Sequence, residues 1–242
     1  MAGRGVRRSR GEEEEESYFV SMADMMVGLV FVFLILLLYF ALQFRQETSR
    51  LDTDGTRAQI LRKLERDLLE QGLKVQIDEN TGVLRLPENV LFDTGQSVLK
   101  PEGEQAVAKL RRAMEAVLPC YTFPRKATCP PAAHHLDAIF VEGHTDDVAM
   151  RGSIDNLDLS VQRATNTYRK LLPEGSLLKS LLNSDGKDPQ PVFSVSGYGP
   201  DRPVPNNQGT PEQRNANNRR IDLRFLMVTP RAPELTDMLV RR

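Results

Sequence analysis

Two stretches of the sequence decide the fold class: LDAIFVEG at residues 136–143 and LSVQRATNTYRKLL at residues 159–172. The first run is short, apolar and rich in aromatic and β-branched residues, which predicts a buried strand. The second carries apolar residues at helical spacing, which predicts an amphipathic helix. Another strand-like run follows at residues 191–199, PVFSVSGYG. A strand, a helix and a further strand in this order indicate an α/β domain.

The same alternation continues on both sides of this unit. Residues 74–86, KVQIDENTGVLRL, alternate in polarity and turn at residues 80–82, NTG, which predicts a hairpin. Pro101 stands at the start of a helical pattern, where proline is well tolerated. A short helix and a last strand are predicted within residues 210–228. The expected fold is a two-layer α/β sandwich with helices on one face of a mixed sheet.

An apolar segment precedes this domain. From Met25 to Leu42 every residue is apolar, glycine or tyrosine. With its flanks, the segment from Ser17 to Phe44 is long enough to cross a membrane core of about 30 Å. A signal peptide is the alternative, but its apolar region normally has about 7–15 residues and ends at a small-residue cleavage site, which is not found here. We therefore predict a retained transmembrane helix.

The basic residues on either side of this helix predict its orientation. Four arginines precede it, and Arg45 and Arg50 follow it closely. Acids count little in the positive-inside rule, so the glutamate run from Glu12 to Glu16 does not cancel the arginines. We expect a cytoplasmic N-terminus and a periplasmic C-terminal domain at the bacterial inner membrane. The formal net charge of -1 gives no reason to expect direct nucleic-acid binding.

The two cysteines, Cys120 and Cys129, lie in a proline-rich segment that predicts a loop. A disulfide between them would close a loop of about ten residues and stabilise the fold by roughly 2.7 kcal/mol in the chain-entropy model. Such a bond persists only in an oxidising compartment such as the periplasm. Two unpaired thiols are the alternative.

The connector between the apolar helix and the domain carries an apolar stripe that ends at Gly72. Its members recur at helical spacing: Ile60, Leu61, Leu64, Leu68 and Leu69. A stripe on an otherwise charged helix needs a cover, which either the domain or a second copy in a short coiled coil can supply, and we expect the second copy. The predicted parts are a charged cytoplasmic tail (1–16), a transmembrane helix (17–44), a periplasmic connector helix (45–72), the globular domain (73–228) and a C-terminal tail (229–242) that is helical or irregular.

Five motifs follow one another in a fixed order within residues 75–228. They are VLFDTGQSVLKPEG (90–103), VEGHTDD (141–147), NLDLSVQRA (156–164), VSGYGPDRPVPNN (195–207) and NANNRRIDL (215–223). Each resembles a motif of the OmpA-like peptidoglycan-binding domain, which is shared by OmpA, Pal and the flagellar stator protein MotB. The resemblance implies that the domain binds the diaminopimelate of the cell-wall peptide.

Diaminopimelate carries an ammonium and a carboxylate on one carbon, so its pocket needs both signs of charge. By the resemblance, Asp146 receives the ammonium and Arg163 grips the carboxylate as a fork. Other matching positions frame the pocket: Thr145, Asn156, Leu159 and Arg219. A surface salt bridge on the helix is the alternative role for Arg163. His144 is expected to pack and form hydrogen bonds beside the pocket, since no second His or Cys lies at metal-ligand spacing.

Two segments depart from the compact family pattern and bear on the pocket rim. They are DVAMRGSID at residues 147–155 and the insertion from Cys120 to His135. No nucleophile–base pair and no pair of acids at glycosidase spacing is recognisable in the sequence. We therefore expect a binding protein that is not an enzyme and has no metal and no cofactor.

Asp24 lies in the first turns of the apolar helix. A charge in a lipid-exposed helix costs about 2.5–3.5 kcal/mol on insertion scales. Asp24 either reaches the headgroups or, as we expect, faces a protein partner together with Ser21 and Gly28, which share its side of the helix. A carboxylic acid that is neutral in a dry site and ionised in a wet one can carry a proton. Asp24 and Ser21 are thus the predicted ion-translocation residues.

An N-terminal helix with one early aspartate resembles the stator and energiser subunits MotB, TolR and ExbD, and the wall-binding domain selects the MotB-like type. The segment SMADMMVGLVFVFLILLLY (21–39), the short connector and the Cys-bearing loop are similar to ZorB-like subunits of Zorya anti-phage defence systems. This resemblance implies a homodimer inside a pentameric ring of ZorA-like (MotA-like) multi-helix subunits, with H+ as the translocated ion. A flagellar stator subunit and a passive wall tether are the alternatives, and Na+ is the alternative ion.

Overall fold

The computed structural model describes residues 10–130, 132, 134–150, 154–186 and 188–228. The predicted C-terminal tail, residues 229–242, lies outside the described residues, as do the first nine residues of the N-terminal tail. The chain forms two compact units, with the boundary between Leu51 and Asp52. Helix α1 (Arg10–Glu70) contributes residues to both units.

The first unit contains the predicted membrane segment. Within α1, the stretch Ser21–Phe44 has 24 residues and a mean hydropathy of 2.9 in its most apolar window, and none of that window is buried by the protein. A helix of this length and composition can cross a bilayer, where lipid covers the apolar side chains. Its length and composition agree with the predicted transmembrane helix.

A five-stranded mixed sheet forms the centre of the second unit. Its strands are β1 (Gln76–Asp78), β2 (Val83–Pro87), β3 (Leu136–His144), β4 (Phe193–Gly197) and β5 (Arg220–Met227), in the spatial order β1-β2-β5-β3-β4. The β1–β2 pair is antiparallel and is the predicted hairpin. Strands β3 and β4 are parallel, so they need a crossover connection, which contains helix α4 (Asn156–Leu171).

Besides α1, the described part of the second unit contains four α-helices. They are α2 (Glu88–Leu91), α3 (Pro101–Val117), α4 and α5 (Pro211–Asn218). Pro101 occupies the first turn of α3, as predicted. Asp155 and Asp158 form a capping box at the start of α4, which satisfies free backbone N–H groups there. The α/β fold class, with an N-terminal apolar helix before a mixed sheet, is confirmed.

The core lies between one face of the sheet and the helices. Alternate strand residues point into it because side chains in a strand alternate between faces. The strands contribute Leu84, Leu86, Ile139, Val141, Ile221, Leu223 and Phe225, and α3 contributes Leu110, Met114 and Val117. Burying each such side chain contributes about 1.5–3 kcal/mol. The residues that alternate with them on the other sheet face are largely charged, and they include Arg85, Glu142, Asp222 and Arg224.

The connector stripe packs against this same core, so the prediction that a second copy covers it is wrong. Its four fully buried members belong to the core cluster of the single chain: Ile60, Leu61, Leu64 and Leu68. Leu69 is 56% exposed. The domain covers the stripe because it follows directly in the chain, and Arg62 adds an ion pair with Glu79 of the hairpin. Gly72 ends the helical pattern with a φ of 72°, which favours glycine.

Two glycines allow α4 to approach the sheet closely. A Cβ at Gly143 would lie 2.0 Å from the backbone oxygen of Ser160, and a Cβ at Gly197 would lie 2.4 Å from a methyl carbon of Val161. No side chain other than hydrogen fits at such distances. The first turns of α4 therefore lie directly against the ends of β3 and β4.

The loop after α3 is closed by a disulfide between Cys120 and Cys129, whose Cα atoms lie 5.3 Å apart. The predicted disulfide is confirmed. The loop also packs the ring of Phe123 against His135, with centroids 4.9 Å apart. These contacts are internal to the insertion, and backbone hydrogen bonds between Phe123 and Leu182 join it to the rest of the domain.

Candidate functional site

A pocket of about 440 Å³ opens where β3 ends and α4 begins. Loop residues after α2 and side chains of α5 complete its wall. The pocket brings together all six residues that the resemblance predicted for wall binding: Thr145, Asp146, Asn156, Leu159, Arg163 and Arg219. The ligand-binding roles of these residues stay predictions.

Asp146 forms an ion pair across the pocket with Arg219. The Nη1 atom of Arg219 lies 2.5 Å from Oδ2 of Asp146, whose side chain is 10% exposed. Burial alone would lower the pKa of Arg219, but its hydrogen bonds to Asp146 and Glu88 raise that pKa above the ordinary value. Both charges needed for an amino-acid ligand are therefore present, and they are paired with each other.

Arg163 is buried beneath this pair. It is 2% exposed and forms an ion pair with Glu88. Its Nε donates to the backbone oxygen of Gln96 at 2.8 Å, and its Nη2 lies 3.4 Å from that of Asp93. Burial lowers the pKa of the Arg163 guanidinium, although Glu88 opposes the shift. Arg163 thus does not form the surface salt bridge that was the alternative, because its partner is buried with it.

Glu88 is the site residue that the sequence analysis missed. It is 6% exposed and pairs with both Arg163 and Arg219. The four charges form one alternating chain, Arg163–Glu88–Arg219–Asp146, in which each acid neutralises a buried or half-buried arginine. The only local signal is an acid two positions before the apolar run Val90–Phe92.

The rim residues hold the loop after Asp146 in place. Asn156 donates from Nδ2 to the backbone oxygens of Asp146 and Val148, at 3.2 and 2.9 Å.

Thr145 is 3% exposed, and within the described part of the chain its hydroxyl has no hydrogen-bond partner. A buried hydroxyl in a pocket wall is available to a ligand. Apolar contacts come from Leu159 and from Val148, Ala149 and Met150.

No family model matches the chain. Curated relatives include Motility protein B of Bacillus subtilis (strain 168), 27% identical over 177 residues that cover 72% of this chain and 56% of the relative. Zorya protein ZorB of Escherichia coli O139:H28 is 25% identical over 187 residues, which cover 75% of this chain and 71% of the relative. The chain is a ZorB/MotB-like protein. It spans little more than half the length of Motility protein B.

A solved structure shows the same fold. The crystal structure of a MotB-like protein from Desulfovibrio vulgaris superposes with a TM-score of 0.53 at 21% identity. The match covers 74% of this ZorB/MotB-like chain and 98% of the solved one. This agreement supports the architecture of the second unit.

Beside the pocket, this ZorB/MotB-like protein carries a buried charge network around His144. Ligand-type atoms of Glu142, His144 and Asp222 lie within 4.8 Å of one another. Both carboxylates are bound by arginines, however: Arg224 donates to both oxygens of Glu142, and Asp222 pairs with Arg85 and Arg220. A cation there would lie beside three guanidinium groups, so the arrangement fits a network of ion pairs better than a metal site.

His144 packs against Tyr198, with ring centroids 5.4 Å apart, which confirms the packing role predicted for it. Its Nε2 lies 3.9 Å from Glu142 and 3.8 Å from Asp222, beyond hydrogen-bond distance. Neither ring nitrogen has a hydrogen-bond partner among the described residues, so the hydrogen bonding expected of His144 is not seen there. Burial lowers the pKa of His144, and the two carboxylates only partly oppose this shift. The neutral form of the imidazole is therefore favoured relative to that of a solvent-exposed histidine.

Proposed function

We propose that this chain is the peptidoglycan-anchored subunit of a proton-driven inner-membrane rotary motor in anti-phage defence. In this proposal Asp24 carries the ion and the pocket around Asp146 holds the cell wall. The observation that carries the proposal is the presence, in one chain, of an acid inside an apolar span and a pocket lined by both signs of charge. The two named relatives, a motility protein and a Zorya protein, support it.

The pocket supports the wall-binding part. An amino-acid group such as that of diaminopimelate presents an ammonium and a carboxylate together. Asp146 and Arg219 offer the complementary charges within one pocket, and Thr145 offers a hydroxyl that has no hydrogen-bond partner in the described part of the chain. Charge-assisted hydrogen bonds of this kind are about twice as strong as neutral ones. A site of this composition is suited to binding without chemistry, so the protein is proposed to be no enzyme.

The apolar helix supports the ion-carrying part. Asp24 is the one charged residue within Ser21–Phe44, a stretch of 24 residues. An ionisable side chain inside a membrane span is costly, which makes it a functional-site candidate by default. Ser21 and Gly28 share its helix face and allow close approach of partner helices. Each proton that crosses releases about 2.3 kcal/mol per 100 mV of membrane potential.

The proposed assembly follows from these two activities. A dimer of the chain stands inside a pentameric ring of ZorA-like subunits, and the two Asp24 residues are protonated in turn. The wall-bound domains, on the periplasmic side, hold the dimer still so that the ring delivers torque. The Cys120–Cys129 disulfide supports the periplasmic location, because such bonds persist in oxidising compartments.

Exchange of Asp24 tests the motor. In cells that carry the chain and its ring partner, Asp24→Asn should abolish phage restriction, whereas Asp24→Glu, which keeps a carboxyl group, should retain part of it. Membrane fractionation must show equal insertion of all three proteins. Full restriction by Asp24→Asn would leave only the passive tether.

The similarity to Motility protein B favours a flagellar stator subunit as a second candidate. The same strains separate the two functions. A defence motor changes phage plating and leaves swimming intact, whereas a flagellar stator changes swimming.

A further inference from the structure

A second, smaller cavity of about 120 Å³ lies between α5 and the charged face of the sheet. Strands β2 and β5 supply its charged lining residues, Arg85 and Arg220, and α5 supplies Asn217. The described lining contains these two arginines and no acid. The other lining residues are neutral: Gln76, Pro87, Val204 and Ala216. The cavity therefore differs from the pocket around Asp146, where each arginine is paired with an acid of the same lining.

One carboxylate serves both arginines of this cavity. Arg85 and Asp222 are partners across β2 and β5, and Nε of Arg85 lies 3.0 Å from Oδ1 of Asp222. Arg220 binds the other oxygen of the same carboxylate from Nε at 2.9 Å. Glu142, the other acid of this network, is bound by Arg224 on both oxygens. Two guanidinium groups thus share a single negative charge, and a net positive charge remains beside the cavity.

The burial of Arg220 makes this excess of positive charge unfavourable. Arg220 is 5% exposed. Burial lowers the pKa of its guanidinium below the ordinary value; Asp222 opposes this shift, and the nearby charge of Arg85 adds to it. A charge that is taken out of water is costly unless it is fully paired. A small anion beside the two arginines would supply the missing counter-charge.

Hydrogen-bond donors for such an anion line the cavity. Arg85 uses Nε and Nη2 on Asp222, which leaves its Nη1 without a partner among the described residues. Asn217 donates one N–H of Nδ2 to Asn207 and has a second N–H to donate. Oxyanions accept charge-assisted hydrogen bonds, and the arginine fork matches the geometry of phosphate and carboxylate. A cavity of about 150 Å³ can hold benzene, so one of this size has room for phosphate.

We propose that this cavity is a binding site for a small oxyanion of the phosphate type, held by Arg85, Arg220 and Asn217. The bound anion joins α5 to the sheet. None of the eight residues of α5, all of which the structure describes, is buried, and hydrogen bonds with Val204 and Asn207 hold the helix. The site is separate from the proposed wall binding and does not depend on it.

Calorimetric titration of the full chain in detergent with inorganic phosphate, at an ionic strength held constant with chloride, tests the site. The wild type should bind one phosphate per chain. Arg85→Gln should weaken binding at least about tenfold, because it removes a charged hydrogen-bond donor, while Asp222 stays paired with Arg220. Arg62→Gln is the matched control and should bind as the wild type does, since Arg62 pairs with Glu79 at the surface.

A second pair of variants reports the charge of the lining at constant size. Ala216 is an exposed residue of α5 that lines the cavity. Ala216→Glu adds a carboxylate there and should abolish phosphate binding, whereas the uncharged Ala216→Gln should retain it. Phosphate should also slow amide hydrogen exchange within Pro211–Asn218 in the wild type and not in Ala216→Glu. Should Arg85→Gln fail to fold, this pair decides the question.

Glycerol 3-phosphate distinguishes the sources of the anion. Binding of inorganic phosphate alone identifies a free anion, and binding of both identifies a site that also accepts a phosphate carried by a lipid headgroup or a polymer; either result supports the proposal. The proposal is overturned if the wild type shows no saturable phosphate binding. Wild-type affinity in a folded Arg85→Gln, or equal affinity of Ala216→Glu and Ala216→Gln, would also overturn it. The two sites share no described lining residue, so a failure of wall binding and a failure of phosphate binding are distinguishable.

Discussion

Arg219 lies 2.5 Å from Asp146, although 73 positions separate the two residues in the chain. The pair brings the start of β5 to the loop after β3, in the wall of the pocket. Glu88 joins it to Arg163, so four charges from four segments form one chain.

Removal of the Glu88 carboxylate should lower the free energy of unfolding of the second unit. In Glu88→Ala, Arg163 stays buried without its counter-charge, and breaking a buried pair in this way costs about 3–5 kcal/mol. Denaturant unfolding of the full chain in detergent, followed by circular dichroism, measures the loss. Glu174→Ala is the matched control, since Glu174 pairs with Lys179 in solvent and its removal should leave the transition unchanged. Equal stability of both variants would contradict the role of Glu88.

Replacement of glycine by alanine should have opposite effects at Gly143, where α4 approaches the sheet, and at Gly55 in α1. Gly143→Ala places a carbon 2.0 Å from the backbone oxygen of Ser160 and should cost at least about 1–3 kcal/mol through overpacking. Gly55 lies in α1, where an added Cβ would have no neighbour within 4 Å apart from the nearby helix backbone. Gly55→Ala should therefore stabilise the helix by about 0.5–1 kcal/mol. The same unfolding measurement compares the two. A neutral Gly143→Ala would mean that α4 is not pressed against β3.

Most of the fold could be predicted from local patterns. The hairpin, the strands at 136–143 and 219–228 and the helix at 159–172 follow from period, turn residues and caps, which depend on neighbours in the sequence. The cover of the connector stripe could not be predicted, because a helical stripe shows that a partner exists and not which one. Here the core of the same chain buries Ile60 and Leu64.

The candidate site, too, could be predicted only in part from the sequence. Its residues could be located from their motifs, and the pocket brings all six together. The burial of Arg163 and its pairing with Glu88 could not be predicted, since the two residues come from separate segments and meet only in the folded domain. The relative exposure of Arg163 and Arg219 depends on the same tertiary contacts.

Because His144 is buried, the folded protein should lose stability in mild acid. Its pKa in the folded protein lies below the unfolded value of 6.5, because burial disfavours the charged ring. The unfolded chain therefore binds more protons in this range, so the contribution of His144 is complete above pH 6.5 and is lost as the pH falls toward the folded pKa. Glu142, Asp222 and Arg220 face the ring, and the two acids only partly compensate.

Thermal unfolding between pH 7 and pH 5 measures this effect. The wild type should lose more stability over this interval than His144→Asn, which cannot be protonated there. His135 also has a lowered pKa and contributes equally to both proteins, so the difference between them isolates His144. Identical pH dependence of the two would show that His144 does not titrate as expected.

Because the disulfide needs an oxidising compartment, we expect the domain to lie on the periplasmic side of the membrane. In intact cells, Cys120 and Cys129 should resist labelling by a maleimide reagent until a reductant is added, since an oxidising compartment preserves their bond. Cys120→Ser is the matched control, because it leaves Cys129 free and labelled without reduction. Free labelling of the wild-type cysteines would place the domain in a reducing compartment.

Co-sedimentation with isolated peptidoglycan sacculi tests the central claim most directly. The wild-type chain in detergent should sediment with sacculi and be released by free diaminopimelate, whereas Asp146→Ala should stay in the supernatant with an unchanged unfolding transition. Asp146→Ala leaves Arg219 bound to Glu88, so a loss of binding reports the ligand contact and not the fold. Equal sedimentation of the wild type and Asp146→Ala, or none by the wild type, would contradict wall binding through this pocket.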